Sequence, residues 1–318
     1  MTNFILRRIL LSVIVLLLVS ILVFLAMRLL PGDPVLMFIS ASSIQEVTEE
    51  QLNQIRHEYG LDKTLPVQYV DWIAGVFHGD FGNSILNRSP VLNEILRRLP
   101  ITMYIGALAF IVATIVGIPA GVLCAVRRGS WLDNLVTALS NIGITVPTFW
   151  LGTLLIYVFA LHFKWLPVMG YTSPFVDFWK STRQLIMPVF CLALGPIAGN
   201  ARQARSSMLE VVHKDYIRTA WSKGLNERVI VMKHALKNGL MPVVTLSGMG
   251  IGTILGGSVL IEQVFNIPGM GRLAVTSVMN QDYPYVQAIA LIMAISIVFA
   301  NLLVDISYGW LDPRVHYS

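Results

Sequence analysis

The sequence predicts an all-α polytopic membrane protein, and three observations support this fold class. Of the 318 residues, 55% are hydrophobic and only 13% are charged, and the mean hydropathy is +0.67. A soluble domain carries roughly 25% charged residues, because its surface must be solvated by water. The few charges are also unevenly spaced, and they leave six uncharged stretches of at least 18 residues. An ordinary soluble domain is therefore excluded.

Each uncharged stretch is long enough to form one transmembrane helix, since about 20 apolar residues in a helix cross the hydrocarbon core. A helix also satisfies its own backbone N–H and C=O groups, as lipid requires. We therefore predict six spanning helices. The stretches run from Ile9 to Met27, Leu99 to Val126, Asn134 to Phe163, Gln184 to Ala201, Asn238 to Ile261 and Tyr283 to Val304.

These stretches divide the chain into three predicted parts. Residues 1–30 form a cytoplasmic tip and the first span, residues 31–98 form an extracytoplasmic segment, and residues 99–318 form the core. Within the core we place the second span at 99–126, the third at 134–163, the fourth at 184–204, a cytoplasmic loop at 205–237, the fifth span at 238–261 and the sixth at 283–308.

The first span is predicted to be an uncleaved anchor. Arg7 and Arg8 precede an apolar run, as they would in an export signal, but the apolar region of a signal has about 7 to 15 residues and ends at a small-residue site. This run is longer and reaches Met27 and Arg28. The two cysteines, Cys124 and Cys191, lie in apolar stretches and are interpreted as small core residues.

The distribution of basic residues predicts that both termini lie in the cytoplasm, because cytoplasmic loops are enriched in Lys and Arg. With the N-terminus inside, the inner side holds thirteen basic residues and the short outer loops hold four. Arg97 and Arg98 are exceptions, since they precede the second span on its predicted outer side.

The extracytoplasmic segment at 31–98 is too long to be a simple connection. Thr48 is a candidate N-cap for a helix that ends near Gly60, and Trp72, Phe77 and Phe81 are large apolar residues beyond it. The segment holds nine acidic and five basic residues. It is either a solvated cap over the helices or a docking surface for an outside protein.

The cytoplasmic loop is basic and contains signals for two short helices. Asp215 is a candidate N-cap for residues 216–223, Gly224 is expected to end that helix, and Asn226 is a candidate N-cap for the next. A basic loop is also what the topology alone requires, so a partner site is one of two interpretations.

No catalytic motif is present, and transport is therefore the favoured class of function. The sequence has no glycine-rich loop ending in Lys and Ser or Thr, no zinc-binding helix motif and no nucleophile elbow. Ion-coupled transporters keep ionisable residues near the midplane, whereas the six stretches are uncharged. We expect the driving force to be supplied from outside this chain; an ion-coupled transporter and a membrane-bound enzyme are the alternatives.

Small, kinked and polar residues within the stretches are typical of packed and moving helices. Glycines four apart allow close helix approach, and they occur at Gly117 and Gly121 and again at Gly248, Gly252 and Gly256. Four candidates could line a pathway, although interhelical hydrogen bonding is the simpler explanation for the polar ones. They are Asn141, Thr145, Pro147 and Asn200.

Taken in order along the chain, a set of short motifs resembles the membrane permease subunits of ATP-binding cassette importers, in the dipeptide and oligopeptide branch or its nickel and glutathione relatives. The resemblance covers nearly the whole chain. The motifs are Pro31-Gly32-Asp33-Pro34, Tyr59-Gly60-Leu61-Asp62, Gly79-Asp80-Phe81-Gly82-Asn83-Ser84, Pro147-Thr148-Phe149-Trp150, Asp215-Tyr216-Ile217-Arg218-Thr219-Ala220, Lys223-Gly224-Leu225, Pro268-Gly269-Met270-Gly271-Arg272 and Leu311-Asp312-Pro313-Arg314.

The resemblance implies a type I importer permease fold that forms half of a peptide pathway and is not itself an enzyme. It implies a second, similar permease subunit, two ATPase subunits, an extracytoplasmic solute-binding protein and the lipid bilayer as partners, with no nucleic acid. No cofactor or metal is expected on this chain, because ATP and magnesium are used by the ATPases. The expected location is a bacterial or archaeal cytoplasmic membrane.

The resemblance also assigns roles to two groups of residues. The cytoplasmic loop matches a motif of general form Glu-Ala-Ala, three residues and Gly, which forms a coupling helix on the ATPase; here Arg218 replaces the leading Glu. The coupling candidates are Asp215, Tyr216, Arg218, Thr219, Ala220, Lys223, Gly224 and Leu225. The receptor-docking candidates are Trp72, Asp80, Phe81 and Asn83.

Overall fold

A computed structural model describes residues 2–29, 49–58 and 60–311 of the chain. In these ranges the regular structure is helical, apart from an isolated antiparallel bridge between Asn83 and Pro90. The cap predicted at Thr48 lies outside the described residues. The helices are α1 Thr2–Leu29, α2 Glu49–Glu58, α3 Leu65–Phe77, α4 Val91–Val126, α5 Trp131–Thr145, α6 Thr148–Leu155 with a π-helical extension Ile156–His162, α7 Phe178–Val212, α8 Asp215–Ser222, α9 Glu227–Val229 with a π-helical extension Ile230–Ala235, α10 Leu236–Gly239, α11 Met241–Val264, α12 Met270–Met279 and α13 Tyr283–Leu311.

The predicted fold class, an all-α polytopic membrane protein, is confirmed. In the described ranges four helices are long and apolar enough to cross a membrane, and two bent pairs raise the number to six if each pair is one span. The four are Leu6–Leu29, Val91–Val126, Phe178–Val212 and Tyr283–Val304, and the pairs are Trp131–Thr145 with Thr148–His162 and Met241–Gly252 with Ile254–Val264.

The third span is not the continuous helix that its uncharged stretch suggests. Its two halves meet at 105°. Val146 between them is extended, with φ −71° and ψ 125°, because the ring of Pro147 disfavours the helical conformation in the residue before it. Pro147 then begins α6 as its N-cap, where the missing N–H costs no helical hydrogen bond. By contrast, Pro188 and Pro196 lie inside α7 without ending it.

Two helices extend beyond the uncharged stretches that predicted them. Helix α4 begins at Val91, and its first turns contain Glu94, whose Oε1 accepts hydrogen bonds from Arg97 at 2.9 Å and Arg98 at 2.5 Å. These local pairs keep the two arginines at the end of the span. Helix α7 begins after Asp177, whose side chain accepts from the backbone N–H of Lys180 at 2.9 Å, and it continues to Val212, into the predicted loop.

The chain forms two compact units, Met1–Ile101 with Pro268–Val298 and Thr102–Ile267 with Phe299–Ser318. The core of the first unit contains Val91, Ile95, Met270, Tyr285 and Ile289, all of them buried. Beside it, Ser84 Oγ donates to the carboxylate of Asp282, which also accepts from the backbone N–H of Ile85 at 3.1 Å.

In the second unit, glycine allows α4 and α7 to pack at backbone distance. A Cβ added to Gly121 would lie 2.2 Å from the carbonyl oxygen of Ala201, and one added to Gly117 would lie 2.7 Å from that of Ile197. Close approach at this pair of glycines is thus confirmed. In α11, Gly248 packs similarly against Val304, whereas Gly256 has no such neighbour within 4 Å.

Candidate functional site

Helix α8 lies in the predicted cytoplasmic loop, and one side of it is fixed to the second unit. Ile217 and Ala220 are buried in a cluster with Met208, Ile230 and Ala235. These two residues are three apart, so they share one face of the helix. Burial of this face holds α8 in place without any partner. The structure thus places the coupling candidate Ala220 in the packing of the chain itself, not on its surface.

The remaining coupling candidates on α8 lie on its outer face. Asp215, Tyr216, Arg218 and Thr219 are exposed. The N-cap is Lys214, so Asp215 is the first helical residue and not the predicted cap. Its carboxylate still favours the helix, because the N-terminus carries partial positive charge. The outer face therefore offers mixed charge around an aromatic ring.

Trp221 belongs to the same outer face, and the sequence analysis did not single it out. Its side chain is 47% exposed, and it follows directly after the buried Ala220. Exposed tryptophans in contact surfaces often contribute much of the binding energy. Helical spacing alone could have identified it, because Trp221 lies three residues after Arg218 and therefore shares its face of the helix.

A left-handed turn at Gly224 separates α8 from the next helix. Gly224 has φ +71°, and its N–H donates to the carbonyl oxygen of Trp221 at 2.9 Å. Lys223 and Leu225 on either side are exposed. Asn226 then caps α9 by accepting from the backbone N–H of Arg228 at 3.2 Å, as predicted. The turn sets the direction of the chain between the two helices.

An ion pair that the sequence analysis missed joins α5 to α7. Arg205 Nε lies 2.6 Å from Asp133 Oδ1, and Arg205 Nη2 lies 2.9 Å from Asp133 Oδ2. Asp133 is 2% exposed and also accepts from the backbone N–H of Gly129 at 3.0 Å. A bidentate pair with this burial is costly to break. The pattern Ser130-x-x-Asp133 marks the start of α5, where Ser130 Oγ accepts from the backbone N–H of Asp133 at 3.3 Å, but it gives no signal for the pairing with Arg205.

The four pathway candidates occupy different environments. Asn200 is buried; its Nδ2 donates to the carbonyl oxygen of Ala113 at 3.4 Å, and its Oδ1 accepts from Ser247 Oγ at 3.1 Å. Hydrogen bonding between helices therefore explains why a polar residue is present at this position. Asn141, Thr145 and Pro147 are exposed near the bend of the third span. The structure therefore leaves these three available to line a pathway.

The four receptor-docking candidates all line one cavity of about 410 Å³ in the first unit. Trp72 is partly buried, with its ring 6.1 Å from that of Phe24, and Phe81 packs against the core of the unit. Asp80 and Asn83 are exposed. The two aromatic candidates therefore contribute to packing within the chain, while the two polar ones are accessible.

Comparison with known proteins gives the family. Residues 117–317 match the family described as the binding-protein-dependent transport system inner membrane component, and residues 1–106 match the N-terminal family of such membrane components.

Two curated relatives match over the full length of both chains. The oligopeptide transport system permease protein AppB of Bacillus subtilis is 39% identical over 320 residues, and the dipeptide transport system permease protein DppB of Escherichia coli K12 is 38% identical over 341 residues. Each alignment covers 100% of this chain and 100% of the relative.

The fold is shared with solved importers. An inward-facing structure of the MetNI methionine ABC transporter matches with a TM-score of 0.57 and 18% identity, covering 69% of this chain and 96% of the other. The structure of an amino acid ABC transporter matches with a TM-score of 0.52 and 17% identity, covering 69% and 94%. Together with the two family matches, these findings show that the chain belongs to the binding-protein-dependent transport system inner membrane component family, the permease subunits of ABC importers.

Proposed function

We propose that this chain forms half of a pathway that carries small peptides across the cytoplasmic membrane and is driven by partner ATPases. The main support is the full-length sequence identity of 39% and 38% to permeases named for oligopeptide and dipeptide transport. Nickel, metal chelates and glutathione are the alternative substrates in the same fold. Neither relative is named for any of them. A second, similar permease subunit would supply the other half.

The exposed face of α8 is the proposed contact with an ATPase. Its inner face is held by Ile217 and Ala220, so a force applied to Tyr216, Arg218 or Trp221 would be transmitted to the second unit. ATP binding would bring two such loops together and shift the permease pair between inward-facing and outward-facing states. In this scheme the permease is the two-state element, and the ATPases bias it.

Reconstitution tests the proposed driving force. The full complex in vesicles, with ATP on the ATPase side and the solute-binding protein outside, is expected to accumulate a labelled dipeptide. Vesicles that lack only the ATPases are expected to accumulate none, because this chain has no phosphate-binding loop. Excess unlabelled peptide should compete, and nickel ions or glutathione should not. Accumulation driven by an ion gradient without ATPases would contradict the proposal.

Labelling tests the proposed orientation, with both termini in the cytoplasm. Asn83 is exposed, and the native Cys124 and Cys191 are buried, so an Asn83→Cys variant should give little background. A membrane-impermeant thiol reagent is expected to label Asn83→Cys in intact cells, where the outer surface is accessible. A matched Arg218→Cys variant should be labelled only after the membrane is opened. The reverse pattern would contradict the orientation.

A further inference from the structure

Arg28 is a partly buried cation whose contacts are all neutral in the described ranges. Its Nε donates to Gln68 Oε1 at 2.7 Å, and its guanidinium carbon lies 5.1 Å from the ring centre of Phe24 and 5.4 Å from that of Tyr283. Gln68, Phe24 and Tyr283 are themselves buried. No carboxylate of the described residues pairs with Arg28. A buried charge without a counter-ion is costly unless an anion supplies the missing interaction.

Two further donors line the same cavity as Arg28. In the described part of the chain, Arg28 Nη1, Trp72 Nε1 and Gln287 Nε2 are buried and have no hydrogen-bond partner, and all three residues line the cavity of about 410 Å³. Gln287 is 3% exposed. Nearly all buried polar groups in proteins are hydrogen-bonded. Three unpartnered N–H groups around one cavity therefore indicate a ligand rich in acceptor oxygens.

The acidic residues of the cavity are engaged elsewhere. Asp71 Oδ2 lies 2.7 Å from Lys63 Nζ, and Asp80 Oδ1 accepts from the backbone N–H of Gly82 at 2.8 Å. Both carboxylates are exposed, so water screens them more strongly than it screens the buried guanidinium. The inner part of the cavity is thus electropositive, and its chemistry suits an oxyanion.

The position of Arg28 favours phosphate in a lipid headgroup. Arg28 lies in the last turn of α1. Most residues of its apolar span Leu6–Leu29 are exposed or partly exposed, which leaves their surface for lipid. About 20 residues cross the hydrocarbon core, which places this last turn at headgroup depth. Leu22, Leu25 and Leu29 are exposed along the same helix and offer an apolar surface for acyl chains. Arginine matches phosphate bidentately.

We propose that the cavity lined by Arg28, Trp72 and Gln287 binds the phosphate group of an anionic phospholipid at the outer end of α1. The phosphate oxygens accept from the guanidinium, the indole N–H and the amide of Gln287, while the acyl chains lie along α1. None of the pathway candidates or coupling candidates lines this cavity. The bound lipid fixes α1 to α3, where Ser20 Oγ and Tyr69 OH already lie 2.8 Å apart.

Lipid retention in the full complex tests the proposal. The complex is released from nanodiscs of mixed phosphatidylglycerol and phosphatidylcholine, and bound lipid is measured by native mass spectrometry. Arg28→Gln is expected to lower phosphatidylglycerol retention about tenfold, since a hydrogen bond to a charged group contributes about 1.5 kcal/mol or more. Trp72→Phe, which keeps an aromatic ring, and Gln287→Leu, which has a similar size, each remove one donor and are expected to lower it less. If Arg28→Gln fails to assemble, the phosphatidylglycerol retention of the Trp72 and Gln287 variants still tests the proposal.

Arg97→Gln is the matched control, because Arg97 is an exposed arginine paired with Glu94. It is expected to retain phosphatidylglycerol within about twofold of the wild type, since an exposed pair contributes little. Inorganic phosphate added to the complex in detergent distinguishes the source of the phosphate. The site would be assigned to free phosphate by two results together. Millimolar phosphate would raise the unfolding temperature of the wild type but not of Arg28→Gln, and the complex would retain the two lipids without selectivity.

Two outcomes of the lipid measurement would overturn the proposal, and a third concerns the solute-binding protein. One is equal phosphatidylglycerol retention in the wild type and in all three cavity variants, with no stabilisation by phosphate. The other is a loss that Arg97→Gln shows as strongly as Arg28→Gln, which would indicate general surface charge. Weaker binding of the solute-binding protein to Arg28→Gln with unchanged lipid retention would assign the cavity to a protein carboxylate and would equally overturn it.

Discussion

A single methyl group at Gly121 is expected to destabilise the permease by about 2 kcal/mol or more. The Cβ of Gly121→Ala would lie 2.2 Å from the carbonyl oxygen of Ala201 and 2.7 Å from the Cβ of Ala204. The first neighbour is backbone, so no side-chain rotation relieves the contact and helices α4 and α7 must separate. Overpacking of this kind costs about 1–3 kcal/mol and sometimes more. The gain in helix propensity, about 1 kcal/mol, is too small to compensate.

The measurement is thermal unfolding of the purified subunit in detergent, and Gly199→Ala is the matched control. Gly199 lies in α7, and a Cβ there meets nothing within 4 Å in the described chain. We expect Gly199→Ala to unfold at the wild-type temperature or slightly above it, and Gly121→Ala several degrees lower. Equal unfolding temperatures for the two variants would show that α4 and α7 do not pack as the structure has them.

The second large effect is expected on activity, at Gly224. Gly224 has φ +71° and its added Cβ would meet nothing within 4 Å, so Gly224→Val adds strain without a clash. The left-handed conformation costs an L-residue about 1–2 kcal/mol, and more for a β-branched side chain. The turn is expected to relax and to redirect the chain after α8. Peptide taken up per ATP hydrolysed should then fall about tenfold, since 1.4 kcal/mol corresponds to a factor of about ten.

Gly79→Val controls for backbone strain alone. Gly79 has φ +79° and likewise no neighbour within 4 Å, but it follows α3 in the outer segment. We expect Gly79→Val to keep the wild-type ratio of uptake to hydrolysis, even if its uptake and hydrolysis fall together. A wild-type ratio in Gly224→Val would remove the proposed coupling role from this loop.

The sequence could predict the spans because uncharged length is a strong and local signal. It could not predict where α4 and α7 begin and end, since those limits depend on Glu94, Asp177 and other polar residues outside the apolar stretches. It could not predict the bend of the third span either. Pro147 is one of several prolines in the uncharged stretches, and Pro188 and Pro196 give the same signal but lie within an unbroken helix.

The sequence predicted which segment holds the candidate coupling site, but not which of its side chains are exposed. Gly224 and Asn226 were correctly predicted as the end of one helix and the N-cap of the next, because single residues specify left-handed turns and caps. The N-cap predicted at Asp215 was one residue late, since Lys214 is the cap. Which face of α8 is free depends on packing against Met208, Ile230 and Ala235 in the neighbouring helices, and no local sequence pattern specifies that packing. The pairing of Asp133 with Arg205 has the same origin, and so does the burial of Asn200.

The break at Val146 and Pro147 has a consequence for a solitary subunit. Two helix ends meet there near the middle of the third span, and helix ends leave backbone N–H and C=O groups without intrahelical partners. Hydrocarbon cannot supply those partners, whereas protein or a water-filled cavity can. Phe149 and Trp150 next to the break are also exposed. A copy of this chain that is not assembled with a second permease subunit is therefore expected to be degraded by quality-control proteases of the membrane.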